Sequence, residues 1–245
     1  MAGQLRGYLR DVRRGRLPGR VVVEGARLVA EAAAAQARIE ALVWSPRVAG
    51  RPLPQGEIER ILNHPLAREV GDAEMDRLAV GPSHQGVLAV VVLPQWTPAD
   101  CLRGLGWLVV LDGVQDPLNF GAIARAARAF GASGLWYRPG GAQPLSTKVY
   151  RASAGALLDL PVAPVADLGE ALRDAGRPVW VAAADGEPLP PDWPPAVSGA
   201  LVLGNEGRGT AIALGRRIAI PMRRGTESLN VAQAAAILLS RTLRS

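Results

Sequence analysis

The second half of the chain carries five short runs that are apolar on every residue or nearly so: 107–111, 135–137, 179–184, 200–203 and 218–220. A strand that alternates can lie with one face in water, but a strand apolar on both faces must be covered on both. Helical patterns separate the runs. Residues 121–130 place Ile123, Ala126, Ala127 and Phe130 on one face, residues 167–175 are amphipathic, and 231–243 form a long apolar stretch. Parallel strands need crossovers of that length. The pattern therefore predicts an α/β domain with a parallel sheet between two helical layers.

The first half repeats the alternation on a smaller scale. Val21-Val22-Val23 opens a strand, and 25–37 reads as a helix with Leu28, Val29 and Ala32 inward. A strand at 39–44, a loop at 46–54, helices around Ile58, Ile61 and Leu62 and over 73–78, and a strongly apolar strand at 86–93 follow. This predicts a small α/β sandwich over 21–94. Prolines and glycines between Pro94 and Gly106 mark a linker, assigned to 95–105. The larger domain then covers 106–245, with a Pro-rich loop at 188–195. A chain of 245 residues, 49% of them hydrophobic, is long enough for two such cores.

Charge is unevenly placed. The net charge is +6, and residues 1–20 carry six arginines against Asp11 alone. Lys148 is the only lysine, so arginine supplies the basic side. Guanidinium groups grip phosphates in pairs of hydrogen bonds, which makes 1–20 a candidate basic arm for nucleic acid. That arm lacks the apolar stretch of a secretory signal, and no apolar run approaches a membrane span. A cytoplasmic protein without membrane contact is expected. Cys101 is the one cysteine, and with His64 and His84 it makes no metal-ligand set, so no metal is expected. There is no GxxxxGK[ST], no GxGxxG after a strand and no GxSxG.

Three segments remain at strand ends, where open α/β sheets bind ligands. The first runs from Asp112 to Gly121, with Asn119 read as the cap of the next helix and Arg125 and Arg128 on that helix. The second is Leu203-Gly204-Asn205-Glu206-Gly207. The third is Ile220-Pro221-Met222, then Arg223 to Glu227, then Ser228-Leu229-Asn230-Val231-Ala232, with Ser228 or Asn230 as a helix cap. Singly, each is an ordinary strand–loop–helix junction.

Together, in this order and spacing, they resemble the three signature motifs of the SpoU/TrmH family of SPOUT-class RNA ribose methyltransferases, over about 105–245. Residues 20–93 are similar to the ribosomal-protein-like substrate-binding domain often attached to that family, through Val23-Glu24-Gly25 and His84-Gln85-Gly86-Val87. The resemblance implies a deep trefoil knot and S-adenosyl-L-methionine held by Leu203, Gly204, Asn205, Gly207, Ile220, Pro221, Met222, Ser228 and Leu229. It implies 2′-O-methylation of RNA, with Arg125 at the ribose hydroxyl. Glu206, Ser228 and Asn230 would position Arg125 and the ribose, and Asn119 would hold its loop. It further implies a homodimer, formed in part by the helix from Val231, and large-subunit (23S) rRNA as substrate. Transfer RNA, a resistance-type rRNA target and a non-catalytic RNA-binding paralogue stand as alternatives.

Overall fold

The computed structural model describes residues 2–50, 56–80, 84–190, 193–195, 198–223 and 228–243. Parts of three expected loops, 51–54, 191–192 and 224–227, lie outside the described residues. In chain order the first elements are α1 (Ala2–Arg13), β1 (Arg20–Glu24), α2 (Ala26–Ala34), β2 (Arg38–Trp44), α3 (Glu57–Leu62), β3 (Ala67–Glu69), α4 (Asp72–Leu78) and β4 (Val87–Val92). Then come β5 (Leu108–Asp112), α5 (Pro117–Ala129), β6 (Gly134–Tyr137), α6 (Thr147–Ser153), β7 (Val162–Pro164) and α7 (Leu168–Ala175). The chain ends with β8 (Val179–Pro188), β9 (Ala200–Gly204), β10 (Arg216–Ala219) and α8 (Val231–Ser240). These elements form two compact units. The first joins the chain up to Pro94 with Leu145–Leu158, and the second comprises the rest.

The first unit is built on a four-stranded sheet in the order β1-β4-β2-β3. β4 runs antiparallel to β1 and β2, and the short β3 runs parallel to β2. Residues 1–20, read from their charge as a basic arm, also carry a buried face. Leu5, Tyr8, Leu9 and Val12 recur at helical spacing, and α1 buries Leu9 and Val12 among Val22, Val43, Met75, Leu78, Leu88 and Val90. The arginines between them hid that face in a charge count. Arg6, Arg10 and Arg14 are exposed, and their side chains make no hydrogen bond or ion pair among the described residues.

α6 also belongs to this unit, which a boundary drawn at 95–105 does not foresee. Its anchor is Glu24, whose fully buried carboxylate accepts from Arg13 at 2.8 Å, from Arg151 of α6 at 3.3 Å and from the Val80 amide at 3.2 Å. Removing one member of a buried charge cluster strands the others. Glu24→Ala is therefore expected to destabilise the first unit by about 3 kcal/mol in a urea titration, with Glu24→Gln closer to wild type. His84 is likewise structural. Its Nδ1 accepts from the Gly86 amide at 3.0 Å, which leaves Nε2 to donate to Asp76 at 3.1 Å.

The second unit has a six-stranded sheet, parallel throughout, in the order β10-β8-β9-β5-β6-β7. The expected linker is part of this unit. A 3-10 turn at Asp100–Leu102 buries Cys101 among Leu108, Trp136 and Ala163, and burial pushes its thiol up to about 11. β8 runs on to Pro188, so the Pro-rich loop starts later than its composition suggests. Between β8 and β10 the pairing jumps from Arg217↔Val181 to Ile218↔Glu187, so Ala182–Asp185 bulge out of the register and Gly186 brings β8 back against β10. No helix among the described residues is long and apolar enough to cross a membrane. No cluster of His, Cys, Asp or Glu among them could hold a metal ion.

Candidate functional site

β5 and β9 end side by side, with Asp112 paired to Gly204. Burial alone would raise the Asp112 carboxyl. Hydrogen bonds from the Thr210 hydroxyl, the Arg138 guanidinium and the Ala211 amide outweigh it and hold the group below the usual carboxylate range. Asp112 thus pins the loop after β9 to the end of β5. Asn205 adds a second staple. Its Nδ2 donates to the Gly113 carbonyl at 2.9 Å, and its Oδ1 accepts from the Gly207 and Arg208 amides at 3.0 Å each. Its backbone closes the loop on Gly209 through two hydrogen bonds of 2.8 and 2.9 Å. Gly204 is required there: a Cβ would come within 2.4 Å of the Gly209 carbonyl carbon. Gly207 meets no such obstacle.

The first motif differs from the expectation at its start. Asp116, not Asn119, caps α5: its side chain accepts from the Leu118 amide at 2.9 Å, and Pro117 takes the first helical position. Asn119 is released from capping and is buried in the first turn. There it joins the other two motifs. Its Nδ2 donates to Glu206 Oε1 at 2.9 Å, and its Oδ1 accepts from Asn230 Nδ2 at 2.9 Å. Asn230 caps α8 by accepting from the Ala232 and Gln233 amides at 2.9 and 3.4 Å. That cap fixes which way the Asn230 amide points, and the Glu206 carboxylate at the other end accepts only. The orientation of Asn119 follows from both. Three segments spread over 111 residues are thus tied by one directional chain of hydrogen bonds.

Beside this chain lies a cavity of about 410 Å³, lined by both loops, the bowed part of β8 and the start of α8. Leu203, Ile220, Met222 and Leu229 supply apolar walls, and Gly204, Asn205, Glu206, Ser228 and Asn230 supply polar edges. Residues 106–240 match the SpoU rRNA Methylase family, more than half of the chain. The chain belongs to the SpoU rRNA methylase family. It is 34% identical over 194 residues to the 23S rRNA (guanosine-2′-O-)-methyltransferase RlmB of Bordetella pertussis, covering 74% of this chain and 77% of that one. A TrmH-family protein of Porphyromonas gingivalis has a solved structure 32% identical, with a TM-score of 0.75 over 96% of each chain. An AdoMet-bound rRNA methyltransferase from Sinorhizobium meliloti is 25% identical, with a TM-score of 0.77 over 98% of this chain and 93% of that one. This SpoU chain spans 60% of the length of a curated relative in Mycolicibacterium vanbaalenii, named an uncharacterised tRNA/rRNA methyltransferase and 33% identical over 72% of this chain.

The remaining expected positions of the SpoU motifs fall in three groups. Gly207 and Pro221 are exposed and do not line the cavity. Glu206 and Asn230 bond to Asn119 rather than to Arg125. Arg125 is exposed on α5, its side chain without hydrogen bond or ion pair among the described residues, whereas its neighbour Arg128 is engaged by Asp159 at 2.7 and 2.8 Å. Six residues of helix turn Arg125 well away from Asn119, so within one chain the amides and Arg125 do not meet. Sequence reasoning missed Ala182–Asp185, Thr210 and Arg217, which also line the cavity. Their one visible sign is Asp185-Gly186 interrupting an apolar strand.

Proposed function

We propose that this SpoU chain is an S-adenosyl-L-methionine-dependent RNA 2′-O-ribose methyltransferase acting on large-subunit rRNA, as a cytoplasmic homodimer. One observation carries the reading: the three motifs are joined by Asn230–Asn119–Glu206 at the edge of a nucleoside-sized cavity. Ligand pockets run from about 300 to 1,000 Å³, and this one has the mixed lining that an adenosyl group needs. The donor set fits: flat apolar walls at Leu203, Ile220 and Leu229, small alanines at Ala182–Ala184, and polar groups at the rim. The names of the relatives above support the same reading.

When bound, the cofactor supplies an electrophilic methyl group on a sulfonium. The protein's own work is positioning, through loops that are already stapled before substrate arrives. Arg125 is the residue we assign to the ribose 2′-oxygen. A guanidinium stays protonated, so its contribution is to donate to that oxygen as negative charge develops. Its exposure and lack of a partner leave it free to meet RNA or a second subunit. Glu206, Asn119 and Asn230 are positioning residues for the loops. We read the tight crossing of β8 and β10 as the family's knot, a reading supported by Gly186, where a Cβ would come 2.7 Å from the Arg217 and Ile218 backbone.

The test is transfer of a labelled methyl group from S-adenosyl-L-methionine to total RNA, followed by mapping of 2′-O-methyl sites. A single site in large-subunit rRNA is expected, and a site in tRNA would redirect the substrate assignment. The solvent face of α1 and the turn that follows it offer Arg6, Arg10 and Arg14 at four-residue spacing. Replacing all three by glutamine is expected to lower the salt slope of RNA binding by about two. An unchanged slope would remove α1 from the RNA interface.

A further inference from the structure

Only three charged side chains line the cavity among the described residues: Asp185, Glu206 and Arg217. Glu206 is engaged by Asn119. The other two pair with each other across β8 and β10, with Arg217 Nη2 2.5 Å from Asp185 Oδ1. They sit where β8 leaves its register, so the pair faces open space rather than a covering strand. A second ion pair bridges the same two strands, Arg216 to Glu187 at 2.8 Å. It does not line the cavity, and Arg216 lies instead over the Trp180 ring at 5.1 Å. Arg216 and Arg217 are consecutive on β10 and so face opposite ways.

The cavity-facing pair has no evident structural task. Its side chains are 46% and 76% exposed, and ion pairs that wet contribute little to folding. Its charge pattern is selective, however. A phosphate arriving here would meet Asp185, and a simple cation would meet Arg217. A group carrying both an ammonium and a carboxylate a few bonds apart satisfies both. We propose that Asp185 and Arg217 receive the zwitterionic α-amino-acid end of the cofactor, Asp185 facing its ammonium and Arg217 its carboxylate. The pair holds itself in the free protein and exchanges its internal contact for two external ones on binding. The apolar part of the cavity is left for the nucleoside. This rests on the reading of the chain as an S-adenosyl-L-methionine enzyme.

The experiment is calorimetric binding of two ligands to the full chain: S-adenosylhomocysteine, which has the amino-acid end, and 5′-methylthioadenosine, which lacks it. Wild type is expected to prefer the first by at least about tenfold. In Asp185→Asn/Arg217→Gln, 5′-methylthioadenosine should bind as in wild type and the preference should fall to about threefold or less. The control Glu187→Gln/Arg216→Gln should keep the full preference. An unchanged preference in the first variant overturns the proposal. So does loss of 5′-methylthioadenosine binding there, because the pair would then be shaping the pocket. If wild type binds neither ligand, the cofactor reading itself fails, and this proposal with it.

Discussion

Arg125→Ala is expected to slow single-turnover methyl transfer by about 10²- to 10³-fold. Its affinity for S-adenosylhomocysteine should stay within about twofold, since Arg125 does not line the cavity. A general base would behave differently from a charge-stabilising donor in one respect. Arg125→Lys keeps the charge but loses the planar fork, so it should recover part of the rate and show no new pH dependence below the lysine range. Near-normal turnover in Arg125→Ala would remove this residue from the chemistry. Because Arg125 is exposed and its side chain makes no hydrogen bond or ion pair among the described residues, its loss should leave the melting temperature almost unchanged. A rate lost without stability lost is the signature of a group that waits for its substrate.

Gly204→Val is the second large effect, and it acts on binding. A side chain at this position collides with the backbone of Gly209, and neither partner is the end of a flexible side chain. The loop must open, which separates Asn205 from Gly209 and withdraws Asn205 from the Gly113 carbonyl. Binding of S-adenosylhomocysteine is expected to weaken by at least about a hundredfold, equivalent to about 2.7 kcal/mol. Gly207→Ala is the matched comparison, because its Cβ would make only an ordinary contact, 3.7 Å from Asn205 Oδ1. It should bind within about threefold of wild type. Equal losses in both variants would show that loop flexibility, not the close approach at Gly204, governs the site.

What could be read from sequence divides along the range of the interactions involved. The strands of the second unit were legible because burial on both faces leaves a local mark, as in Leu108–Asp112 and Ala200–Gly204. α1 was legible in principle, since Leu5, Tyr8, Leu9 and Val12 mark a helical face, but the arginines drew attention to charge. Asp116-Pro117 likewise carried a helix-start signal that Asn119 obscured. The motif residues were found at their positions, yet not their partners. Asn119 meets Glu206 and Asn230 across separations of 87 and 111 residues, and no local spacing encodes such contacts. The bowing of β8 is another case. It is a mismatch of register between two strands, so neither strand alone contains it.

The amide chain also limits how these parts can change. Asn119 must donate on one side and accept on the other, a pair of duties that no carboxylate, aliphatic or cationic side chain performs in the same shape. A swap at Asn119 is read at once by the cap of α8 and by the loop after β9. The three segments therefore behave as a combination lock rather than as three dials. Grafting one of them from a relative works only when its neighbours already carry the matching polarity, so variation in this protein has more freedom in the walls of the cavity than along its edge.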